Sequence, residues 1–313
     1  MVWIDWHLSA SPPAHMNVTR QNSWRTAYSN QHMFQPWEDS MRVYIGLLIA
    51  ILAAPVFAQE AKRSIEPVAG DVFLMRNNFH NSLLVATTEG VVRVDPINAE
   101  AGSWLNANLD QFGQEKVSHL IYSHSHGDHG SGGGVHDGAL VIAHEDAPET
   151  IDGVAPDLRV GDTHVLEVGG KTIELHNLGA GHDNHMLVTI VRPENVAFIV
   201  DVAAPKRLPF RDFPRSDIGG WFKQLETAQS LDFEIFAPGH GNVGTKADLD
   251  DAYTYMVELQ AAVLDGLKAG SSTEQLKAEA TMDAYKGWGQ YDAWREQNID
   301  GMVRYLRSSG QVE

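Results

Sequence analysis

The chain has 313 residues, a formal net charge of −18 and no cysteine. Disulfides, thiolate metal ligands and cysteine nucleophiles are thereby excluded. Nucleic acid is a poor partner, because neutralising phosphates needs an excess of lysine and arginine.

The length allows one large domain or two small ones. The acidity begins after residue 58, since Arg20, Arg25 and Arg42 balance Asp5, Glu38 and Asp39 before it. Residues 1–40 carry Trp3, Trp6, Trp24 and Trp37 with no sustained period. They are expected to be a disordered or non-native leader, with Met41 as the true start. Residues 41–58 combine Arg42, a short apolar core and Val56-Phe57-Ala58 before Gln59, the anatomy of a secretory signal peptide. That apolar stretch is shorter than the roughly twenty residues of a comfortable membrane span. The expectation is a periplasmic or secreted protein with no stable membrane span after processing.

Residues 59–70 read as a linker. Leu83–Ala86 and Val91–Val94 flank the glycine-containing turn Thr87-Thr88-Glu89-Gly90 and predict a hairpin. Trp104, Leu105, Leu109 and Phe112 sit at helical spacing within 100–114. The apolar run Val117–Tyr122 then leads into Ser-His-Ser-His-Gly-Asp-His, residues 123–129. His124, His126, Asp128 and His129 fall within six positions, and imidazole with carboxylate is the donor set a dication such as zinc prefers. Core packing does not explain so many polar groups, whose desolvation is costly without a partner. Gly130, Gly132, Gly133 and Gly134 are expected to bend the backbone around a bound ion.

Three later segments each end a short apolar run in a further donor: Gly181-His182 before Met186–Val191, Val196–Val200 before Asp201, and Phe233–Phe236 before Gly239-His240-Gly241. His185 competes with His182, and the Gly-His context favours His182. His119 reads as a core side chain and His144 as structural; His80, His136, His164 and His176 read as surface or turn residues. Pro205–Arg215 concentrates Lys206, Arg207, Arg211 and Arg215 against Asp212 alone in an otherwise acidic chain. Arg207 and Arg211 are candidates to bind a substrate carboxylate, against the plainer reading of surface ion pairs. Ile218–Leu231 and Ala247–Leu267 predict amphipathic helices, the second capped by Thr245 and stopped at Gly270. Ser272 with Gln275 offers a capping box. Residues 270–313, with Tyr285, Trp288, Tyr291 and Trp294, read as a helical extension that overhangs the site, forms a homodimer contact or simply packs at an edge. The residues alone give an α/β (α+β) chain with two β-rich halves.

The order His-x-His-x-Asp-His, Gly-His, Asp, Gly-His-Gly, spread over residues 71–245, resembles the metallo-β-lactamase superfamily of metal-dependent hydrolases. The resemblance implies a four-layer αβ/βα sandwich, placed at 71–269. It implies two zinc ions per chain, one held by His124, His126 and His182 and the other by Asp128, His129 and His240, with Asp201 bridging. It implies that Asp95 supports the metal loop and that Asp128 orients the attacking water and returns a proton; His185 is expected to support the ligands or line the pocket, where it could bond the developing oxyanion. The expected activity is hydrolysis of a small ester, lactone or amide-type substrate by water activated between the metals. Asp201 stands where some zinc β-lactamases carry cysteine, which favours lactonase-type chemistry. A class B-like β-lactamase and a non-catalytic or iron-binding periplasmic metalloprotein are the alternatives.

Overall fold

A computed structural model describes residues 61–313; the leader and signal-peptide readings lie outside the described residues. Strands β1 (Arg63–Ala69), β2 (Val72–Asn77), β3 (His80–Thr87), β4 (Gly90–Val94), β5 (Val117–Ile121), β6 (Leu140–His144) and β7 (Leu158–Val160) form one sheet in sequential order. The first four pair antiparallel, and β4 through β7 pair parallel. The second sheet has the order β13-β12-β11-β10-β9-β8. Its strands are β8 (Thr163–Val168), β9 (Lys171–Asn177), β10 (Leu187–Arg192), β11 (Val196–Ile199), β12 (Ile235–Pro238) and β13 (Gly244–Thr245).

Alternation along each strand makes two apolar faces, and both are buried. Leu74, Leu83, Val85, Val92 and Ile121 of the first sheet meet Ile173, Leu175, Val191, Phe198 and Ala237 of the second in one cluster. The opposite face of the first sheet, with Leu84, Val91 and Leu120, is covered by α1 (Ala99–Asn106) and the following 3-10 turn (Leu109–Phe112). The opposite face of the second sheet is covered by α3 (Ile218–Ser230), α4 (Lys246–Lys268), α5 (Thr273–Glu279) and α6 (Tyr291–Ser308); α2 (Gly127–Gly130) is the short turn that carries Asp128 and His129. The result is a four-layer αβ/βα sandwich.

The helix signals in the sequence translate directly into structure. The expected stripe on α4 is buried at Leu249, Ala252, Met256, Leu259 and Val263, and Thr245 forms a capping box with Asp248. Ser272 and Gln275 form the capping box of α5. Two boundaries are corrected. The expected linker 59–70 contains β1, which finds its partner in β2 through register pairs from Arg63–Asn77 to Ala69–Val72. The extension from 270 joins the same apolar cluster as α3 and α4 through Leu276, Ile299, Met302, Val303 and Leu306. No separate core forms there. Among the described residues, no helix is long and apolar enough to cross a membrane.

The candidate metal centre

Every predicted donor lies just beyond a strand end on one edge of the sandwich. β5 delivers His124 to His129, the loop after β9 delivers His182, β11 delivers Asp201 and β12 delivers His240. Their ligand atoms gather in two sets that share one carboxylate: His124, His126, His182 and Asp201, and Asp128, His129, Asp201 and His240. Asp201 Oδ2 lies 3.4 Å from both His124 Nε2 and His182 Nε2. Its other oxygen lies 3.3 Å from His129 Nε2 and 3.0 Å from His240 Nε2. His126 Nδ1 is 3.1 Å from His182 Nε2, and Asp128 Oδ2 is 3.7 Å from His240 Nε2.

The chemistry of this donor set fits divalent metal ions. Ligands at zinc distances of about 2.0–2.1 Å in a tetrahedron stand about 3.3 Å from one another, the scale of the separations above. Four of the five histidines turn the outward nitrogen to a neighbouring group; the outward Nδ1 of His182 is buried with no hydrogen-bond partner among the described residues. His124 Nδ1 donates to Ser123 Oγ at 2.9 Å, and His240 Nδ1 donates to the Phe79 carbonyl at 2.9 Å. His129 Nδ1 faces Asp95 at 3.4 Å and His126 Nε2 faces Asp183 at 3.6 Å. For His124 and His240 an outward Nδ1–H leaves the Nε2 lone pair pointing inward, the arrangement a metal ligand requires. His124 Nε2 is buried with no hydrogen-bond partner among the described residues, a costly state that a cation relieves. Burial pushes the His126 imidazole down to about 4, helped by His124 and His182, so its lone pair is free at neutral pH. Burial opposes ionisation of Asp201, yet His129, His124 and His182 hold its carboxyl well below the ordinary range. Asp201 also has a left-handed backbone, φ +58°, a strained conformation typical of functional positions.

Behind the donors stands a buried network that only partly shows in the sequence. Asp95 accepts from the Ser123 amide and hydroxyl, both at 2.7 Å, and so ties β4 to the metal loop. Arg93, fully buried, donates to the Ser82 hydroxyl at 3.0 Å and to the carbonyls of Asp95 and Pro96 at 3.2 and 2.7 Å. Its Nη1 also donates to His136 Nε2 at 2.8 Å, and His136 Nδ1 donates to Asn106. His136, expected at the surface, is thus a buried neutral acceptor; burial and then Arg93 push it down to about 3. Gln224, on the buried face of α3, accepts from the His182 amide at 2.7 Å and donates to the Gly179 and Asp183 carbonyls. Asn81 of β3 donates to the Pro238 and Gly241 carbonyls on either side of His240. Neither amide carries a sequence signal, because each acts on a loop more than forty positions away.

Three readings are corrected. His80, read as a turn residue, stands at the site with Nε2 3.5 Å from Asp128 Oδ2 and its ring 4.9 Å from that of His240. Only the folding-over of the β2–β3 hairpin brings it there. His185 is buried and absent from the cavity wall; its Nδ1 faces Asn184 at 2.8 Å and Asp183 at 3.2 Å. It stands behind His126 through Asp183, as the reading of a supporting residue expects, and not on the cavity wall that an oxyanion contact needs. The glycines after His129 do not wrap an ion but admit close packing. A Cβ on Gly132, φ +81°, would stand 2.1 Å from the Ala99 amide nitrogen, and one on Gly133 would stand 2.1 Å from Tyr122 Oη.

Five of the donors, His126, Asp128, His182, Asp201 and His240, line a cavity of about 650 Å³, with His124 and His129 buried behind them. Phe79, Arg207, Phe210, Trp288 and Trp294 line it as well. Arg207 is on the wall as expected, but Arg211 is not: its guanidinium lies 4.6 Å over the Phe210 ring, and Asn298 holds its carbonyl inward. Arg215 lines the cavity instead.

The layer order and the double donor set define a protein of the metallo-β-lactamase fold, and solved structures bear this out. A metallo-β-lactamase from Pontibacter korlensis superposes with a TM-score of 0.53 at 19% identity, covering 62% of this chain and 99% of that one. One from Hirschia baltica gives 0.54 at 18% identity, covering 62% and 97%. By sequence, the chain is 25% identical over 229 residues to the 2,4-dinitroanisole O-demethylase subunit alpha of Nocardioides sp. (strain JS1661), covering 69% of each. No protein-family model matches the chain. The chain has the metallo-β-lactamase fold with a site suited to metal ions.

Proposed function

We propose that this protein is an exported binuclear zinc hydrolase acting on a small ester, lactone or amide-type substrate. The observation that supports it best is the pair of donor sets sharing Asp201, which lines an open cavity. His124, His126 and His182 would hold one ion, Asp128, His129 and His240 the other, with Asp201 common to both. Bound zinc would supply Lewis acidity and lower the pKa of water from 15.7 towards about 7, which is what hydrolysis at neutral pH needs.

The chain's own residues do the rest. Burial raises the Asp128 carboxyl, but His80 and His129 outweigh it and hold the group well below the usual carboxylate range. It is therefore ionised, on the cavity wall, and oriented to accept a hydrogen bond from an attacking water. A proton arriving at Asp128 Oδ2 has His80 Nε2 within 3.5 Å as its next stop towards the leaving group. Val202, Ala203, Leu208 and Met256 line the cavity with apolar surface and exclude water from the reacting bond. Arg207 supplies a positive charge for an anionic part of the substrate. A second reading, cleavage of an aryl alkyl ether, is favoured by the aromatic cavity wall together with the O-demethylase activity in the name of the Nocardioides relative.

The test is metal analysis with a panel of lactones, esters, β-lactams and aryl ethers. Hydrolysis should vanish on chelation and return with zinc. Full activity in His126→Ala would refute the reading.

A further inference from the structure

We infer that the cavity wall built by the 205–215 loop and the C-terminal segment is a specificity subsite for a flat aromatic carboxylate. The inference rests on the hydrolase reading for the bond that is cut, but the subsite itself stands on separate residues.

Arg207 carries the argument. Its neighbour Lys206 pairs with Asp251 and, at 3.5 Å, with Asp248. Arg304 likewise pairs with Asp212 at 3.2 Å. Arg207 is half-buried and makes no ion pair among the described residues, in a chain with 41 acidic side chains against 23 lysines and arginines. Burying a guanidinium without a carboxylate is costly unless something else meets it. Here its carbon lies 4.8 Å over the Trp294 ring, a stacking contact that pre-orders the planar fork and leaves its N–H edges for a ligand.

The surroundings define the rest of that ligand. Phe210 meets Trp294 edge-on at 5.2 Å, and Tyr255 lies 5.9 Å from Trp288 at 36°. All four rings line the cavity, with Met256 beside them. Rings in edge-to-face and tilted arrangements offer an apolar slot suited to another ring, and a volume of about 650 Å³ exceeds what a small aliphatic ester fills. The wall is fixed in place. The Gly289 amide donates to the Lys206 carbonyl at 2.8 Å and the Leu208 amide to the Gly289 carbonyl at 3.1 Å. Asn298 donates to the Pro209 carbonyl at 3.1 Å and accepts from the Tyr255 hydroxyl at 2.6 Å. The bidentate geometry of Arg207 suits a carboxylate, and Arg207 and the rings line the same cavity as His126, Asp128, His182, Asp201 and His240.

Two measurements on the zinc-loaded protein test this. In calorimetric titration, benzoate should bind at least tenfold more tightly than benzamide, which lacks the charge, or acetate, which lacks the ring. Arg207→Gln and Trp294→Leu should each weaken benzoate at least tenfold, with Arg207→Lys in between. In steady-state hydrolysis, 4-carboxyphenyl acetate should exceed 4-carbamoylphenyl acetate at least tenfold in kcat/KM, and Arg207→Gln should erase that ratio by lowering kcat/KM for the carboxylated ester more than for the neutral one. Equal binding of benzoate, benzamide and acetate by the unaltered protein overturns the subsite whether or not the variants fold. If benzoate binds as expected while no ester is hydrolysed, the hydrolase reading falls and the subsite stands. If esters are hydrolysed with no preference for the carboxylated ring, the subsite falls and the hydrolase reading stands.

Discussion

Replacing His136 by glutamine should flatten the acid limb of this protein's stability curve. The imidazole is buried, accepts from Arg93 Nη1 at 2.8 Å and donates to Asn106 Oδ1 at 2.9 Å. Protonation would remove the acceptor and set a second cation against a fully buried guanidinium. Its pKa falls from 6.5 to about 3 on folding, with burial the larger cause and Arg93 the second. Between those values the unfolded chain binds the extra proton and the folded chain does not, so stability rises with pH. The contribution is complete above pH 6.5 and is lost progressively as pH falls to about 3. At 1.36 kcal/mol per unit, the loss is about 2 kcal/mol at pH 5 and about 4 kcal/mol at pH 3. Glutamine offers an acceptor and a donor but does not titrate. The stability of the parent minus that of the variant, from urea denaturation between pH 7 and pH 4.5, should therefore fall as the pH falls. Subtracting one curve from the other cancels the metal-site histidines, which both proteins share. Parallel curves would refute the assignment of His136 as a buried neutral acceptor.

Asp95→Asn should weaken zinc about 10- to 100-fold in chelator competition, because the amide cannot accept from Ser123 and face His129 Nδ1 equally well; an unchanged affinity would show that Asp95 does not support the donors. Gly132→Ala should cost about 3 kcal/mol or more in urea denaturation, since its Cβ meets the Ala99 amide nitrogen at 2.1 Å and its φ is +81°. A midpoint equal to that of the parent would contradict the close approach. Asn298→Ala should destabilise by about 2–4 kcal/mol, leaving the Tyr255 hydroxyl and two loop carbonyls without their partner. It should also raise KM more than it lowers kcat, as the loop carrying Arg207 loosens; an unaltered KM would separate that loop from substrate binding.

The donors were legible because each is announced locally. A tight His-x-His-x-Asp-His turn after an apolar strand, and Gly-His or Asp at the ends of other apolar runs, are patterns that only metal chemistry explains economically. Helix caps at Thr245, Ser272 and Gln275 and the stripe on α4 were legible for the same reason, since each depends on neighbours within four positions. The pairing of the donors into two sets came through the resemblance, and the structure gives it distances.

What the chain order alone determined, then, was the list of groups with the right chemistry and the strands and helices that hold them. What folding decided was which side chains the site gathers from afar. His80 arrives on a hairpin, Gln224 on a helix and Trp294 on the last helix, while His185 and Arg211 are turned away within a few residues of true wall residues. Local patterning specifies periodicity and turns. The direction a loop side chain faces depends instead on contacts across more than a hundred positions, such as Asn81 with Pro238 and Gly241, which leave no spacing to read.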